Sequence, residues 1–581
     1  MAEKNGNQEA LQNGRIVLLM GVLGTMTIYL ILRLAGWQLF PHPEYVRYGA
    51  EAINVPERIP AVRGAIFDAT GNYLAVSTYG CRIFLVPELL DRADKMDKEG
   101  QIVWGRTQKI ARIAEVLRQP EESVGRIAEA PPRDLRKIVA AAAPPEVCKE
   151  LEPLRDKGVQ IEYGYWRVYP DETLAAHVLG FVDLDGNGQY GLEGYYDREL
   201  RGQDGEWLGI RGPWGQPVMA VLGGYRSPQP GADLILTLDR NIQYEAERLL
   251  QEGILANKAS SGNIIVLEAR TGAILAMANF PSYDPAEYWY VASIEEHRNR
   301  CIGAVYEPGS VLKSITLAAA LEAQVIRATD TYDDRGSIVV GEQEIKNSDG
   351  KAHGITTMTQ LLAYSRNVGA AYVASLLGPT RFYEMFKRFG FGEHTQVDLI
   401  GDERGLMRVP GDPYWHMSDL GRNAYGHGIS VTPLQVAVAY GALANGGLMM
   451  KPYIVSEMRT PQGTVRTNPV PLRQVISADT AKQITQLLEE AVKLGMRQAM
   501  VPGYRIAGKS GTAEIPSQEG YEGKDVIASF VGYGPLPDPR FVVLVKFDRP
   551  REKQEGVEVA APVFSRLFAF LMNYAGIPPA P

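Results

Sequence analysis

The chain has 581 residues, of which 45% are hydrophobic and 22% are charged, with a formal net charge of −8. This length exceeds one ordinary hydrophobic core, so two or three domains are expected. The acidic balance argues against nucleic acid as a partner. The three cysteines, Cys81, Cys148 and Cys301, are too few and too widely spaced to predict a disulfide framework or a zinc site. The seven histidines form no HExxH or other close ligand pair, so no metal and no other cofactor is expected.

The first element in chain order is an apolar segment near the N-terminus. Residues 16–32 carry no charge and would span about 25 Å as a helix, slightly less than a ~30 Å hydrocarbon core. Arg33 follows, but its side chain can reach the interface and Trp37 is typical of that depth, so we predict an uncleaved membrane anchor over 15–40. A cleaved signal peptide and a buried core helix are the alternatives. Basic and acidic side chains both precede the segment, so the positive-inside rule alone does not fix its orientation.

The region 41–228 alternates between strand-like and charged helical segments. CRIFLVP and VQIEYGYWRVY are typical of strands, and residues 107–118 have a charged helical pattern. Residues 204–232 are rich in glycine and proline, which break regular elements. We therefore place a domain boundary in that stretch, between residues 228 and 229.

The region from residue 229 onward has strands near both of its ends. LILTLDRNIQYEAERLLQEG predicts a short strand followed by a capped amphipathic helix, and GNIIVLEARTGAILAMAN predicts a β-hairpin. ASFVGYGP and RFVVLVKFD predict late strands, and APVFSRLFAFLMNYAG predicts an amphipathic helix that packs on their sheet. With helical patterns between, the predicted fold is a mixed α/β domain, an antiparallel sheet with helices on its faces.

The first motif that carries chemistry is Ser310-x-x-Lys313. Proline and glycine interrupt the chain just before Ser310, which is predicted to open a helix and to share a face with Lys313. A serine hydroxyl is a weak nucleophile until a base takes its proton, and a lysine can do so when burial or cations lower its pKa. For Ser310 alone, an ordinary N-cap serine is the alternative. A second S-x-x-K match at 348–351 lies in a polar stretch and is interpreted as a solvated turn.

The second motif is Ser365-Arg366-Asn367, which lies between two helix-like segments and is predicted to connect them. A hydroxyl and an amide so close in sequence can relay a proton and hold a substrate amide. Another S-x-N match at 261–263 starts a predicted strand before the nucleophile. Alone, either triplet would most often be a cap or a turn.

The third motif is Lys509-Ser510-Gly511-Thr512, in a segment that predicts a strand. Because side chains alternate along a strand, the hydroxyls of Ser510 and Thr512 share a face and together can hold a carboxylate. Gly511 leaves space for a ligand backbone, and Lys509 supplies positive charge near Ser310. For the tripeptide alone, an exposed basic strand residue is the alternative.

The three motifs together are far more specific than each alone. Their order, S-x-x-K, S-x-N and K-S-G, matches the motif set of penicillin-binding proteins and serine β-lactamases. No G-x-S-x-G elbow or recognisable histidine context favours a Ser-His-Asp triad instead. RGAIFDATGNYLA, RVYPDETLAAHVLGFV and YGLEGYYDREL also resemble the non-catalytic pedestal of class B penicillin-binding proteins. TGAILAMANFPSYDP, YEPGSVLK, GHGISVTPLQ and SFVGYGPLPDPRFVVLVKFDRP resemble landmarks of the transpeptidase domain in that family.

The resemblance implies an organisation in four parts. These are a cytoplasmic tail (1–14), a transmembrane anchor (15–40), a mixed α+β pedestal domain (41–228) and a serine β-lactamase-like transpeptidase domain (229–581). It further implies a single-pass protein of the bacterial cytoplasmic membrane, with the N-terminus in the cytoplasm and the catalytic domain outside. The implied activity is that of a D,D-transpeptidase, with peptidoglycan stem peptides as substrates and β-lactams as covalent inhibitors.

The resemblance also implies roles for the motif residues. Ser310 would attack the D-Ala-D-Ala bond of a donor peptide, and Lys313 would be its base. Ser365 and Lys509 would assist proton transfer to the leaving group, and Asn367 would bind the donor peptide.

Two further roles concern the carbonyl and the carboxylate of the donor. The backbone N–H groups of Ser310 and Thr512 would form the oxyanion hole. The hydroxyls of Ser510 and Thr512 would bind the terminal carboxylate, beside the space that Gly511 leaves.

GHGISVTPLQ, SRNVG and SFVGYGPLPDP resemble the septal branch of the family more than the elongation branch. His427, where that branch often has glutamine, and Arg366 in the S-x-N motif are departures. No glycosyltransferase domain is expected before the pedestal, so the implied partners are a multi-spanning glycan polymerase and other division or elongation proteins. A β-lactam receptor or hydrolase with the same acyl-serine chemistry, and a catalytically silent scaffold, are the alternatives.

Overall fold

The computed structural model describes residues 2–39, 57–91, 105–131, 135–155, 157–211, 217–515 and 525–579. The chain divides into two compact units, one of Met1–Ala61 with Gln203–Gln229 and one of Val62–Gly202 with Pro230–Pro581. The predicted end of the anchor at residue 40 and the predicted start of the next domain lie outside the described residues.

The first unit contains the long apolar helix α1, Ala2–Leu39. Its segment Asn13–Leu39 has a mean hydropathy of 2.0, and none of it is buried inside the molecule, so it is long and apolar enough to cross a membrane. The unit also has an antiparallel sheet in the order β1–β8–β9, formed by Glu57–Ile59, Gly205–Arg211 and Pro217–Arg226. Two segments of the glycine- and proline-rich stretch are therefore paired antiparallel strands, where the sequence predicted broken elements.

The N-terminal part of the second unit contains six strands and seven helices among its described residues. The strands are β2 Ile66–Phe67, β3 Tyr73–Leu85, β4 Lys137–Ala143, β5 Val159–Val168, β6 Phe181–Val182 and β7 Gly188–Gln189. The helices are α2 Pro87–Leu90, α3 Arg106–Leu117, α4 Glu121–Glu129, α5 Pro145–Leu151, α6 Ala176–Leu179, α7 Gly191–Tyr195 and α8 Asp197–Arg201. The strands predicted from CRIFLVP and VQIEYGYWRVY are confirmed as β3 and β5, and the helix predicted over 107–118 is confirmed as α3.

The cysteine prediction was wrong for one pair. Cys81 of β3 and Cys148 of α5 form a disulfide with Cα atoms 6.1 Å apart, and Cys301 is a free, buried thiol. The pair meets because β3 and α5 pack into one hydrophobic cluster, in which both cysteines are fully buried. The bonded cysteines are 67 residues apart in sequence, so spacing gave no signal.

The C-terminal part carries the remaining elements. Its strands are β10 Asp233–Leu236, β11 Ser261–Glu268, β12 Ile274–Phe280, β13 Thr331–Asp334, β14 Ser337–Val340, β15 Gln343–Lys346, β16 Gly354–Thr357, β17 Leu448–Met450, β18 Val455–Thr460, β19 Gly463–Arg466, β20 Pro471–Gln474, β21 Ala507–Glu514, β22 Val526–Gly534 and β23 Phe541–Asp548. Its helices are α9 Arg240–Asn257, α10 Arg300–Gly303, α11 Leu312–Glu322, α12 Met358–Ala363, α13 Asn367–Leu377, α14 Pro379–Arg388, α15 Met417–Asn423, α16 Pro433–Ala444, α17 Ala478–Gly495 and α18 Gly556–Tyr574.

A five-stranded antiparallel sheet, in the order β12–β11–β23–β22–β21, organises this part. Phe530 of β22 contacts Phe564 of α18, whereas Tyr533 of β22 contacts Tyr440 of α16, so helices cover opposite faces of the sheet. The predicted hairpin, late strands and final helix are confirmed. By length and composition α18 also passes as a membrane span, but more than half of it is buried on the sheet.

A second sheet joins strands from distant parts of the chain. Its order is β19–β18–β10–β2–β3–β4, with β5 also paired to β3, and β10 runs parallel to β2. Strands from both sides of residue 228 therefore hydrogen-bond to one another. The domain boundary predicted there stays a prediction.

Candidate active site

Ser310 lies in a 3-10 turn, Gly309–Val311, that leads directly into α11. The α-helix begins at Leu312, two residues later than the sequence suggested, and Lys313 is its second residue. Ser310 is half-buried, whereas the side chain of Lys313 is fully buried. The serine therefore stands at a helix N-terminus, where the helix dipole favours developing negative charge.

The turn that carries Ser310 is packed between two backbone segments. On one side, Gly309 N–H donates to the Gly426 carbonyl oxygen at 3.1 Å. A Cβ atom at Gly426 would lie 2.1 Å from the Gly309 oxygen, and its φ is +84°, so only glycine fits there. On the other side, a Cβ atom at Gly511 would lie 3.0 Å from the Pro308 oxygen. These close approaches hold the nucleophile turn against strand β21.

Lys313 reaches from α11 to the second motif. Its Nζ lies 2.6 Å from the Ser365 carbonyl oxygen, 2.7 Å from Asn367 Oδ1 and 3.1 Å from Ser365 Oγ. No carboxylate is among these neighbours. The S-x-N motif thus surrounds the Lys313 amine with neutral polar groups.

The S-x-N motif connects α12 to α13, as the sequence predicted. Ser365 adopts φ of +57°, which is uncommon for a residue with a side chain. Asn367 is the first residue of α13, and its Nδ2 donates to the Lys346 carbonyl oxygen at 3.2 Å. That bond fixes the amide so that Oδ1 faces Lys313.

Lys509 reaches the same hydroxyl from strand β21, which confirms the predicted strand. Its Nζ lies 3.2 Å from Ser365 Oγ, 2.8 Å from the Ser510 carbonyl oxygen and 3.4 Å from Ser510 Oγ. Ser365 Oγ is therefore within hydrogen-bond distance of both lysine nitrogens. All three motifs meet at one place.

Burial gives the two lysines unusual acidity. Burial first, and then the charges of Lys509 and Arg366, holds the pKa of Lys313 well below its ordinary value. Burial lowers the pKa of Lys509 to about 7. A neutral Lys313 can accept a proton, and a Lys509 that titrates near neutrality can both give and take one.

Ser510 and Thr512 are the half-buried residues of β21, and they alternate with the buried residues Lys509 and Gly511. The predicted shared face of the two hydroxyls is thereby confirmed. Thr512 Oγ1 accepts a hydrogen bond from the Gly556 N–H at 3.1 Å, at the start of α18. The strand presents its polar face next to this helix start.

The sequence did not single out Tyr425, which is a further neighbour of the Lys313 amine. Its Nζ lies 5.9 Å from the ring centre of Tyr425, and the Tyr425 ring packs against His427. Burial, followed by the charges of Lys313 and Arg422, lowers the pKa of His427 to about 4, so the ring is neutral at physiological pH. In the sequence, His427 stood out as a departure from the septal branch, without a structural role.

Arg366 also acquires a partner that the sequence did not indicate. Its Nη1 donates to Asp349 Oδ2 at 2.7 Å, and His353 Nε2 lies 2.9 Å from the same oxygen. Burial alone would raise the pKa of Asp349, but the Lys351 N–H and Arg366 hold it at about 2. The exposed S-x-x-K match at 348–351 is thus a turn, as predicted. Its Asp349 also forms an ion pair with Arg366 of the S-x-N motif.

Comparison with known families covers both parts of the chain. Residues 262–569 match the penicillin binding protein transpeptidase domain, and residues 58–236 match the penicillin-binding protein dimerisation domain. The chain belongs to the class B penicillin-binding proteins. This confirms the resemblance seen in the motifs. The match to the transpeptidase domain also shows that this penicillin-binding protein is an enzyme of the transpeptidase type.

Similar proteins come from several bacteria. Stage V sporulation protein D of Bacillus subtilis is 33% identical over 530 residues, which are 89% of this chain and 79% of that protein. PbpB of Mycolicibacterium smegmatis is 30% identical over 599 residues, covering 96% of this chain and 90% of its own. The peptidoglycan D,D-transpeptidase FtsI of Escherichia coli is 28% identical over 568 residues, covering 97% and 92%.

Solved structures show the same architecture. Penicillin binding protein 3 of Mycobacterium tuberculosis, in complex with aztreonam, superposes with a TM-score of 0.69 at 27% identity, covering 90% of this chain and 98% of that one. Penicillin Binding Protein 2X of Streptococcus thermophilus has a TM-score of 0.70 at 22% identity, covering 90% and 81%, and shares the fold. The predicted fold, a pedestal followed by a transpeptidase domain built on an antiparallel sheet, is confirmed.

Proposed function

We propose that this penicillin-binding protein cross-links peptidoglycan stem peptides through an acyl-Ser310 intermediate, outside the cytoplasmic membrane. The observation that carries the proposal is the convergence of two buried amines on one hydroxyl. Lys313 and Lys509 approach Ser365 Oγ at 3.1 and 3.2 Å, beside the turn that holds Ser310. This arrangement supplies a nucleophile, a base and a proton relay.

In the proposed acylation, neutral Lys313 takes the Ser310 proton as Oγ attacks the carbonyl of the penultimate D-Ala. The peptide C–N bond then breaks, and the leaving D-Ala nitrogen needs one proton. Ser365 and Lys509 deliver it, and Lys313 returns the proton it took to this relay. Asn367 holds the donor amide, so the carbonyl stays in reach of Ser310.

The strand β21 would bind the end of the donor peptide. The hydroxyls of Ser510 and Thr512 would hold the terminal carboxylate, and Gly511 lets the ligand backbone approach. The backbone N–H groups of Ser310 and Thr512 would stabilise the oxyanion. An amine from a neighbouring stem peptide then attacks the acyl-enzyme, the ester C–O bond breaks, and the proton that the amine loses passes through the relay and Lys313 to Ser310 Oγ.

Two observations support a location outside the membrane. The helix segment Asn13–Leu39 suits a single-pass anchor. The Cys81–Cys148 disulfide is typical of an oxidising compartment and unusual in the cytoplasm. We propose a cytoplasmic N-terminus, with 1–14 as a tail, 41–228 as the pedestal and 229–581 as the catalytic domain. The similarity to the peptidoglycan D,D-transpeptidase FtsI of E. coli supports a septal role. A multi-spanning glycan polymerase as partner completes the proposal.

The test of the nucleophile uses labelling by a fluorescent penicillin. The wild type is expected to form a covalent adduct, and Ser310→Ala is expected to form none. Ser348→Ala, in the exposed second S-x-x-K match, is the matched control and is expected to label fully. Labelling of a folded Ser310→Ala protein would refute the assignment of the nucleophile.

A second measurement separates a transpeptidase from a hydrolase. With a D-Ala-D-Ala donor and a D-amino acid as acceptor, we expect release of one D-Ala and an exchanged product. The penicilloyl adduct should persist for much longer than seconds, because no group in the proposal activates water for deacylation. Rapid turnover of penicillin without exchange would instead support a hydrolase.

A further inference from the structure

A row of buried polar side chains crosses four of the five strands of the catalytic sheet and ends at a glycine on the fifth. The directly paired residues are Gly511 of β21, Ser529 of β22, Lys546 of β23, Asn263 of β11 and Asn279 of β12. Paired residues on neighbouring strands share a face. The four with polar side chains are each at most 5% exposed. A polar row of this kind in a sheet interior is costly unless its members are bonded.

The row is linked by side-chain contacts from Lys546 to Asn279, whereas Ser529 Oγ has no hydrogen-bond partner among the described residues. Lys546 Nζ lies 3.4 Å from Asn263 Oδ1, and Asn263 Nδ2 donates to Asn279 Oδ1 at 2.8 Å. Asn279 Nδ2 donates to Asn299 Oδ1 at 3.2 Å, and Asn299 caps helix α10. One end of the row is Gly511, which lies against the backbone just before Ser310.

The charge of the row is balanced locally. Lys546 Nζ lies 2.5 Å from Asp548 Oδ1, and both side chains are largely buried, at 4% and 14% exposure. Ser261 Oγ donates to Asp548 Oδ2 at 2.7 Å. Burial by itself would raise the pKa of Asp548, but the Lys546 charge and these hydrogen bonds lower it. The ammonium is therefore held in a fixed place inside the domain.

The fixed ammonium contacts the chain that leads to the nucleophile. Lys546 Nζ lies 4.9 Å from the ring centre of Tyr306, four residues before Ser310. The ring is 7% exposed, and its hydroxyl has no hydrogen-bond partner among the described residues, so the ring face is the polar contact that holds it. Tyr306 and Val431 exchange two backbone hydrogen bonds at 2.9 Å, which hold the same segment from the other side.

We propose that Lys546 is a positioning residue for acylation: its ammonium, fixed by Asp548, holds the ring of Tyr306 and thereby sets the position of Ser310. This inference rests on the proposed function, since it explains how the nucleophile is held. Lys546 is 3% exposed and lies in the interior of the sheet. It acts through Tyr306 and the turn, and a small displacement of a reacting atom is enough to slow a reaction by up to about hundredfold.

The test is single-turnover acylation by a chromogenic β-lactam, which separates the binding constant from the acylation rate constant. Lys546→Met/Asp548→Asn removes both charges, so neither is left buried alone. We expect the acylation rate constant to fall on the order of tenfold, with little change in the binding constant. The rate constant is measured per labelled molecule, so partial unfolding lowers the amplitude and leaves the rate constant unchanged.

A double-mutant cycle with Tyr306 makes the test specific. Tyr306→Leu removes the ring and should slow acylation about as much as the Lys546/Asp548 change does. Tyr306→Phe keeps the ring and should therefore acylate near the wild-type rate. Combining Tyr306→Leu with the Lys546/Asp548 change should add no further loss, because both break one contact. If the Lys546/Asp548 variant does not fold, the two tyrosine variants still test the inference.

A surface ion pair of the same domain provides the control. Lys258 and Glu552 form an exposed pair, and Lys258→Met/Glu552→Gln should acylate at the wild-type rate. An unchanged rate constant in the Lys546 and Tyr306 variants, or losses that multiply in the combined variant, would overturn the inference alone. A wild type that forms no adduct would overturn the proposed function as well, which distinguishes the two failures.

Discussion

At the residue scale, the surroundings of Lys313 indicate how it would act as the base in the proposed acylation. A neutral amine has two hydrogens and one lone pair, and two of its neighbours, the Ser365 carbonyl oxygen and Asn367 Oδ1, can only accept. If both hydrogens go to these acceptors, the lone pair is left for a hydroxyl proton. Burial and nearby cations favour this neutral form. The geometry thus gives a reason for the S-x-N motif as well as for the lysine.

Removing the amine should therefore remove acylation without unfolding the protein. Lys313→Met fills the same buried space without a base, and we expect adduct formation with fluorescent penicillin to fall by at least about a hundredfold. Lys351→Met, in the exposed S-x-x-K match, is the control and should label normally. Labelling of folded Lys313→Met at the wild-type rate would show that another group is the base.

Arg366 should tune the pH at which Lys313 becomes a base. Acylation needs neutral Lys313, so the rate rises with pH through the pKa of this lysine. The Arg366 charge is one of the causes that lower this pKa, so Arg366→Gln should move the acid limb of the pH–rate profile to higher pH. The double change Arg366→Gln/Asp349→Asn also removes the carboxylate that the single change leaves without Arg366. It should therefore shift the limb less than the single change. A limb that stays in place in both variants would contradict this electrostatic role.

Lys509 should make stability depend on pH. Burial lowers its pKa from 10.5 to about 7 in the folded protein, so between these values the unfolded chain binds more protons. The free energy of unfolding therefore rises with pH across this window, and this gain in stability is lost as pH falls toward 7. In Lys509→Met, the melting temperature should rise less between pH 7 and 10 than in the wild type. If the melting temperature changes equally with pH in the two proteins, this would argue against a neutral buried amine at Lys509.

At the element scale, the sequence predicted the parts of the site with strong local signals. The hairpin of β11 and β12, strand β21 and the connection at Ser365 follow from alternation, glycine and helix patterns, and all three are confirmed. The two lysine contacts to Ser365 were not predictable as distances, because they depend on packing between residues that are 52 and 144 positions apart in the chain. The role of Gly426 was equally hidden, since nothing local marks a glycine that must contact Gly309.

That contact leads to a prediction about the nucleophile turn. In Gly426→Ala the new Cβ would meet the Gly309 oxygen at 2.1 Å with a φ of +84°, so the turn must move. We expect acylation to slow by about tenfold to a hundredfold, by displacement of Ser310. Gly441→Ala in α16 is the matched control, because no atom lies within 4 Å of its Cβ position. Equal acylation rates in the two variants would show that the turn tolerates the displacement.

At the scale of the whole molecule, long-range pairing is what the sequence could not supply. Local patterns predicted β3 and β10 as separate strands and gave no signal for β2, yet β10 pairs with β2 in parallel and with β18 on its other edge. The disulfide between Cys81 and Cys148 was missed for the same reason, because it depends on β3 and α5 packing together. The family resemblance, by contrast, gave the architecture directly, because motif order is a property of the whole chain.

The anchor gives the last prediction at this scale. The segment Asn13–Leu39 buries nothing inside the molecule, so in water its apolar side chains would drive association. Every group of the candidate site lies beyond residue 300, and the described hydrogen bonds that join Lys313, Ser365, Asn367 and Lys509 all connect residues beyond that position. Removing residues 1–40 should therefore give a soluble protein that acylates at the rate of the detergent-solubilised full chain, measured by single-turnover labelling and gel filtration. A folded but slowly acylating truncation would mean that the anchor contributes to the active conformation.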